Sequence, residues 1–253
     1  MKINNPDSTQ IPQLRTLWQE AFGDTEKFLD LFFGTAFDTK RAVCITENEE
    51  VLAALYWFDC TCNGEKLAYI YAVATSKKHR FKGLCRQLMD YTHTELISMG
   101  YKAAILVPGS KELFDMYEKL SYKICSFIEE FTVAASDKIA TLAPITKEEF
   151  ATLRKKYLPE NAVVQENESL DFLGSYAEFY KGDDFIFVCS KDKDKLVVSE
   201  ILGNEEPAAS ITRALGCESG FFRTVGNLRP FSMWCDFSGG KLSPPKYFGL
   251  AFD

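Results

Sequence analysis

Lys77, Lys78, His79 and Arg80, followed by Phe81, Lys82 and Gly83, are the residues whose types and spacing best suit chemistry. They lie between a β-rich run, Tyr69 to Thr75, and a segment with apolar residues at Leu84, Leu88, Tyr91, Leu96 and Met99 that Gly100 ends. The pattern reads as strand, basic glycine-containing turn and amphipathic helix. The first amides of a helix have no intrahelical partner and sit at the positive end of its dipole. Gly83 would let a ligand approach the backbone closely, and Arg80 and Lys82 add positive charge. Such a turn is a cradle for phosphate or diphosphate. It is neither G-x-x-x-x-G-K-[ST] nor G-x-G-x-x-G.

What remains is Arg80-x-x-Gly83-x-Cys85, which resembles the R/Q-x-x-G-x-G/A coenzyme A turn of the GNAT (Gcn5-related N-acetyltransferase) superfamily, with Cys85 in place of Gly or Ala. A second stretch, Ser110 to Tyr122, is similar to the family's last helix and the strand entry after it. Phe114, Tyr117, Leu120 and Tyr122 fit, and Ser121 stands where Gly is usual. The two motifs come in the family's order and at its distances. The resemblance implies an acyl-CoA N-acyltransferase fold of the α/β (α+β) class with a mixed central sheet. It also implies acetyl-CoA as co-substrate, held by Arg80, Phe81, Lys82, Gly83, Leu84, Cys85 and Arg86. The backbone at Val73, Ala74 and Thr75 would pair with the pantetheine arm, an N–H near Val73 would polarise the thioester carbonyl, and Tyr117 would serve as general acid.

A primary amine is mostly protonated at neutral pH, so the reaction needs a base. Leu67 to Thr75 holds no carboxylate, which leaves Asp59, Glu65 and the acidic residues of the first helices. In the tandem acetyltransferases that the chain resembles, the terminal carboxylate lies in the active site, which makes Asp253, after KYFGLAF, the sharper candidate. No histidine base is evident for Cys85, so direct transfer is expected over a thiol nucleophile.

A chain of 253 residues with 46% hydrophobic and 14% aromatic residues has enough apolar material for one large or two small cores. Its net charge of −7 argues against general nucleic-acid binding and suits a cationic acceptor. The start is polar, no run reaches the length of a membrane span, and the eight cysteines are dispersed. A cytoplasmic protein with reduced thiols and no metal is expected, with no membrane or nucleic-acid partner and with a possible homo-oligomer.

Ile11 to Phe22 and the segment around Phe28 to Phe33 read as helices. Arg41 to Thr46 and Val51 to Cys62 read as strands, and Asn63-Gly64 as a hairpin turn into the central strand. Residues 1–134 are expected to form the coenzyme-binding domain and 135–144 a linker. Residues 145–253 are expected to form a smaller, degenerate GNAT-like α+β domain with a helix from Thr146, a hairpin across Lys191 to Asp194, a short helix from Glu205 to Leu215, and strands ending with Tyr247 to Phe252. Its Gly203-Asn204-Glu205-Glu206-Pro207 turn is acidic, so only the first half is expected to bind coenzyme A. The tandem order is similar to the enhanced intracellular survival-type acetyltransferases, which are longer. The chain is thus read as an N-acetyltransferase for a small-molecule or peptide amine, or alternatively as a non-catalytic acyl-CoA sensor or scaffold.

Overall fold

The computed structural model describes residues 1–252. The chain divides into two compact units. The first comprises 1–106, 110–123 and 234–242; the second comprises 107–109, 124–233 and the described residues from 243 on.

The first unit opens with β1 (Lys2–Asn4), α1 (Ile11–Phe22) and α2 (Glu26–Thr35). Pro12 starts α1, and Gly23 ends it in a left-handed cap with φ 76, donating its N–H to the Gln19 carbonyl. Thr25 then caps α2 by accepting from the Phe28 N–H, while Asp24 accepts from the Trp18 indole at 2.8 Å. Next come β2 (Ala42–Glu47), β3 (Glu50–Cys62) and β4 (Glu65–Thr75), an antiparallel meander. Asn63 (φ 51) and Gly64 (φ 81) make the tight turn that the Asn-Gly pair predicts. A crossover through α3 (Leu84–Ser98) then brings β5 (Ala103–Leu106) alongside β4 in parallel. α4 (Lys111–Glu118) completes this part of the chain.

β3 is buried at nearly every position from Val51 to Phe58, so both of its faces are covered. Trp18 and Phe32 pack against Tyr56 from α1 and α2, with ring centroids 5.2 Å from Tyr56 in each case.

The second unit contains β6 (Lys123–Ala134), β7 (Ala143–Pro144), α5 (Lys147–Tyr157), β8 (Val164–Gln165), α6 (Glu168–Gly174), β9 (Glu178–Lys181), β10 (Phe185–Asp192), β11 (Lys195–Gly203), α7 (Ala208–Ala214) and β12 (Ser219–Val225). β13 (Arg229–Asp236) begins in this unit and runs into the segment 234–242 of the first. β7, β9, β10 and β11 pair antiparallel in turn, β11 and β12 pair in parallel across α7, and β6 lies antiparallel on β12. Strand, two helices, three meander strands, crossover helix and parallel strand thus occur once in each unit. To the hairpin, the two helices and the strands legible beforehand, the second set adds the short strands β7, β8 and β9 and the helix α6.

Within the second unit, Arg154 and Glu200 form a fully buried ion pair with two hydrogen bonds, at 2.6 and 2.9 Å, and Tyr247 donates to the same carboxylate at 3.1 Å. The strand expected over Tyr247 to Phe252 is not one. Only Tyr247 bridges, to Ala162, and Leu250 is held by the Gln165 side chain at 2.7 Å. The segment is buried, but side chains hold it where a ladder would. At Gly249 a Cβ would lie 1.9 Å from the Tyr247 hydroxyl. All eight cysteines are free thiols, and among the described residues no helix is long and apolar enough to cross a membrane.

Candidate active site

β4 changes character two-thirds of the way along. Tyr71 faces Tyr56 and Ala74 faces Ala54, so Ala72 and Val73 stand together opposite Leu55 alone. This is a β-bulge, with Ala72 at φ 48. Leu67 to Ile70 are buried, whereas Tyr71, Ala72 and Val73 are half-buried, Ala74 is buried and Thr75 is half-buried. The bulge interrupts the regular ladder at Val73 and re-aims the backbone there. Sequence reading missed it because an alanine carries no sign of a left-handed conformation, as a glycine at 72 would have.

Beyond Thr75 the chain is fastened before it turns. The Ser76 N–H donates to the Leu52 carbonyl at 2.9 Å, and the Lys77 N–H to the Glu20 carboxylate at 2.7 Å. Arg80 donates from Nε to the Thr75 carbonyl at 3.2 Å. Phe81 (φ 63) and Gly83 (φ 79) are both left-handed, and Gly83 is the N-cap of α3 with no side-chain cap. Arg80, Phe81, Lys82, Gly83 and Arg86 are exposed, while Leu84 is buried and anchors the helix start. Nothing lies within 4 Å of where a Gly83 Cβ would project. Uncapped amides, open space over Gly83 and three cationic side chains fit a diphosphate.

The turn and Tyr117 come together. Arg86 donates from Nη2 to the Lys119 carbonyl at 2.9 Å, just past the end of α4. Cys85 is half-buried and close enough to Tyr117 for its thiol to act on the phenol electrostatically. Its side chain is accommodated, so the departure from Gly or Ala leaves the turn intact. Burial pushes the thiol up to about 11, against a smaller opposing effect of Arg86, so Cys85 stays protonated and is no nucleophile. Burial likewise raises Tyr117 well above the usual phenol value, with Cys85 adding to the shift. The Tyr117 ring is 7% exposed, and its hydroxyl has no hydrogen-bond partner among the described residues. It is a neutral phenol with a proton to give.

Behind it, the Tyr117 and Tyr122 rings meet edge-on at 5.7 Å, and the Tyr122 hydroxyl pairs with His93 Nε2 at 2.8 Å. Burial lowers His93 to about 4, against a smaller opposing effect of Asp90, so the ring is neutral. Sequence reading gave His93 no role, because its partner lies across an intervening strand and helix. Ser121, where the resemblance expects Gly, adopts φ 69 all the same.

The carboxylates weighed as bases are engaged elsewhere. Asp59 faces Ala68, several residues along the ladder from the bulge, and accepts from the Tyr101 hydroxyl with Lys66 at 4.0 Å. Glu20 accepts from Lys77, and Glu26 and Asp30 both pair with Arg15. Glu65 opens β4, at the far end of the strand from the bulge. Asp253 lies outside the described residues.

A bulged strand leading through a basic, amide-rich turn into a helix is the arrangement of an acyl-CoA N-acyltransferase fold. Residues 2–125 match the acetyltransferase (GNAT) domain family, and this part of the chain belongs to it. No curated protein matches the chain in sequence. Among solved structures, a GCN5-related N-acetyltransferase from Kribbella flavida is similar at 15% identity and TM-score 0.72, covering 94% of this chain and 71% of that one. Eis1 from Mycobacterium abscessus is similar at 11% identity and TM-score 0.67, covering 94% and 74% respectively. A putative acetyltransferase from Pyrococcus horikoshii is similar at 10% identity and TM-score 0.63, covering 98% and 92%. At these identities the likeness is one of fold, and it extends over both units.

Proposed function

We propose that this chain is an N-acetyltransferase that moves an acetyl group from acetyl-CoA to a primary amine by direct attack. The observation that carries the reading is the bulge at Ala72–Val73 running directly into the open, uncapped turn at Arg80–Arg86, with the unpaired Tyr117 hydroxyl beside that turn.

Acetyl-CoA would supply the activated thioester. Arg80, Lys82 and the amides from Gly83 to Arg86 hold its diphosphate. Backbone groups of Val73, Ala74 and Thr75 pair with the extended pantetheine arm as an added strand would. The Val73 N–H donates to the carbonyl oxygen on which negative charge develops. Tyr117 donates a hydrogen bond or proton to the departing sulfur. The amine attacks in its neutral form, its proton lost to a base or to solvent. The second unit is a degenerate GNAT-like half. In its β11–α7 turn the Glu206 N–H is taken by the Asn204 side chain at 3.0 Å, and Glu205 and Glu206 supply the wrong charge for a phosphate.

A second reading, an acyl-CoA sensor without turnover, is favoured by one observation. The described carboxylates considered as bases are all engaged elsewhere or remote from the bulge. Calorimetry with acetyl-CoA together with thiol release over a panel of polyamines, aminoglycosides, amino acids and peptides separates the two. Binding with turnover supports the enzyme; binding without turnover on any acceptor supports the sensor.

A further inference from the structure

Phe81 is the most exposed of the large apolar side chains, at 105% of its reference surface, while the other exposed phenylalanines, Phe22 and Phe127, reach only 48% and 37%. It also holds a left-handed backbone, φ 63, a conformation disfavoured for any residue with a bulky side chain. An aromatic ring here gains nothing from packing against the protein, and asparagine or glycine would fit the backbone better. Its surroundings are cationic. Lys77, Lys78, Arg80 and Lys82 are all exposed on the same short turn. An apolar partner would find few apolar neighbours on this turn. A flat aromatic base that carries phosphates would find both a π-face and compensating charge.

We propose that the Phe81 ring is the platform on which the adenine base of the coenzyme lies, with Lys77, Lys78 and Lys82 supplying charge to its nucleotide phosphates. Phe81 thereby sets the preference for a full coenzyme A over a donor that ends at pantetheine. The inference rests on the turn at Arg80–Arg86 being the diphosphate cradle.

The test uses the full chain and the variants Phe81→Asn and Phe81→Trp. Calorimetry measures binding of coenzyme A and of acetyl-pantetheine, and thermal melts measure stability without ligand. Phe81→Asn should weaken coenzyme A binding by roughly tenfold, the range expected for losing one base stack. The advantage of coenzyme A over acetyl-pantetheine should shrink by the same factor, while the melting temperature stays level or rises because asparagine tolerates the left-handed backbone. A residue with a purely structural role would lose stability instead. Phe81→Trp should show fluorescence quenching by coenzyme A, beyond any seen in the unsubstituted chain, and none by acetyl-pantetheine. Unchanged coenzyme A affinity in Phe81→Asn would overturn the platform while leaving the cradle standing. If the unsubstituted chain binds no coenzyme A, the cradle itself falls and the platform with it.

Discussion

Position 121 carries a serine in a left-handed conformation, φ 69, at the turn that leads from α4 into β6. A non-glycine residue there costs about 1–2 kcal/mol, offset in part by the greater freedom that glycine has when unfolded. Ser121→Gly should therefore stabilise the protein by about 0.5–1 kcal/mol and raise Tm by about 2 °C in a thermal melt. Tyr117 has the opposite character, since its value is chemical. Tyr117→Phe should leave coenzyme A binding intact by calorimetry and lower kcat by about 10²-fold or more, the usual scale for losing a positioned acid. Because burial raises its pKa, the proton stays on the phenol through the ordinary tyrosine range near 10. Activity should climb with pH as the acceptor amine deprotonates, with no descending limb below about pH 10 in the kcat profile. These residues were legible in the sequence because each belongs to a short motif whose spacing survives without knowledge of the fold.

At the level of elements, the strand, turn and helix from β4 to α3 were legible, and the distortion that re-aims the strand was not. A bulge is a matter of register between β3 and β4, fixed by which residues pair across the sheet, and Ala72 leaves no local trace of it. The His93–Tyr122 hydrogen bond was hidden for the same reason, since it ties α3 to the chain after α4. It carries a stability prediction. The folded His93 titrates near 4 against an ordinary 6.5, so the unfolded chain binds the extra proton first. The stability this group contributes is present above pH 6.5 and is lost progressively as the pH falls toward 4, by up to about 3 kcal/mol. His93→Gln, which keeps a hydrogen-bonding group for Tyr122, should flatten that part of the pH–stability curve measured by urea unfolding.

Over the whole molecule, the same succession of elements is built twice with opposite chemistry at the corresponding turn. Arg80, Lys82 and an uncapped Gly83 lead into the first crossover helix, and Asn204, Glu205 and Glu206 lead into the second. Titration calorimetry should accordingly give one coenzyme A per chain, not two. The acidic turn was legible beforehand from charge alone, whereas the short strands and α6 of the second unit were not, because β7 and β8 are two residues each and α6 is seven. The buried Arg154–Glu200 pair and its Tyr247 partner were equally invisible, being separated widely in sequence. The most direct single measurement is free-thiol release from acetyl-CoA by the purified chain across the panel of amines, with coenzyme A binding followed in parallel. An acetyltransferase will release thiol in step with acetylation of at least one amine, and Tyr117→Phe will suppress that release without suppressing binding. Binding of coenzyme A with no thiol release on any amine would make the chain a sensor, and neither binding nor release would remove the basis for acyl transfer altogether.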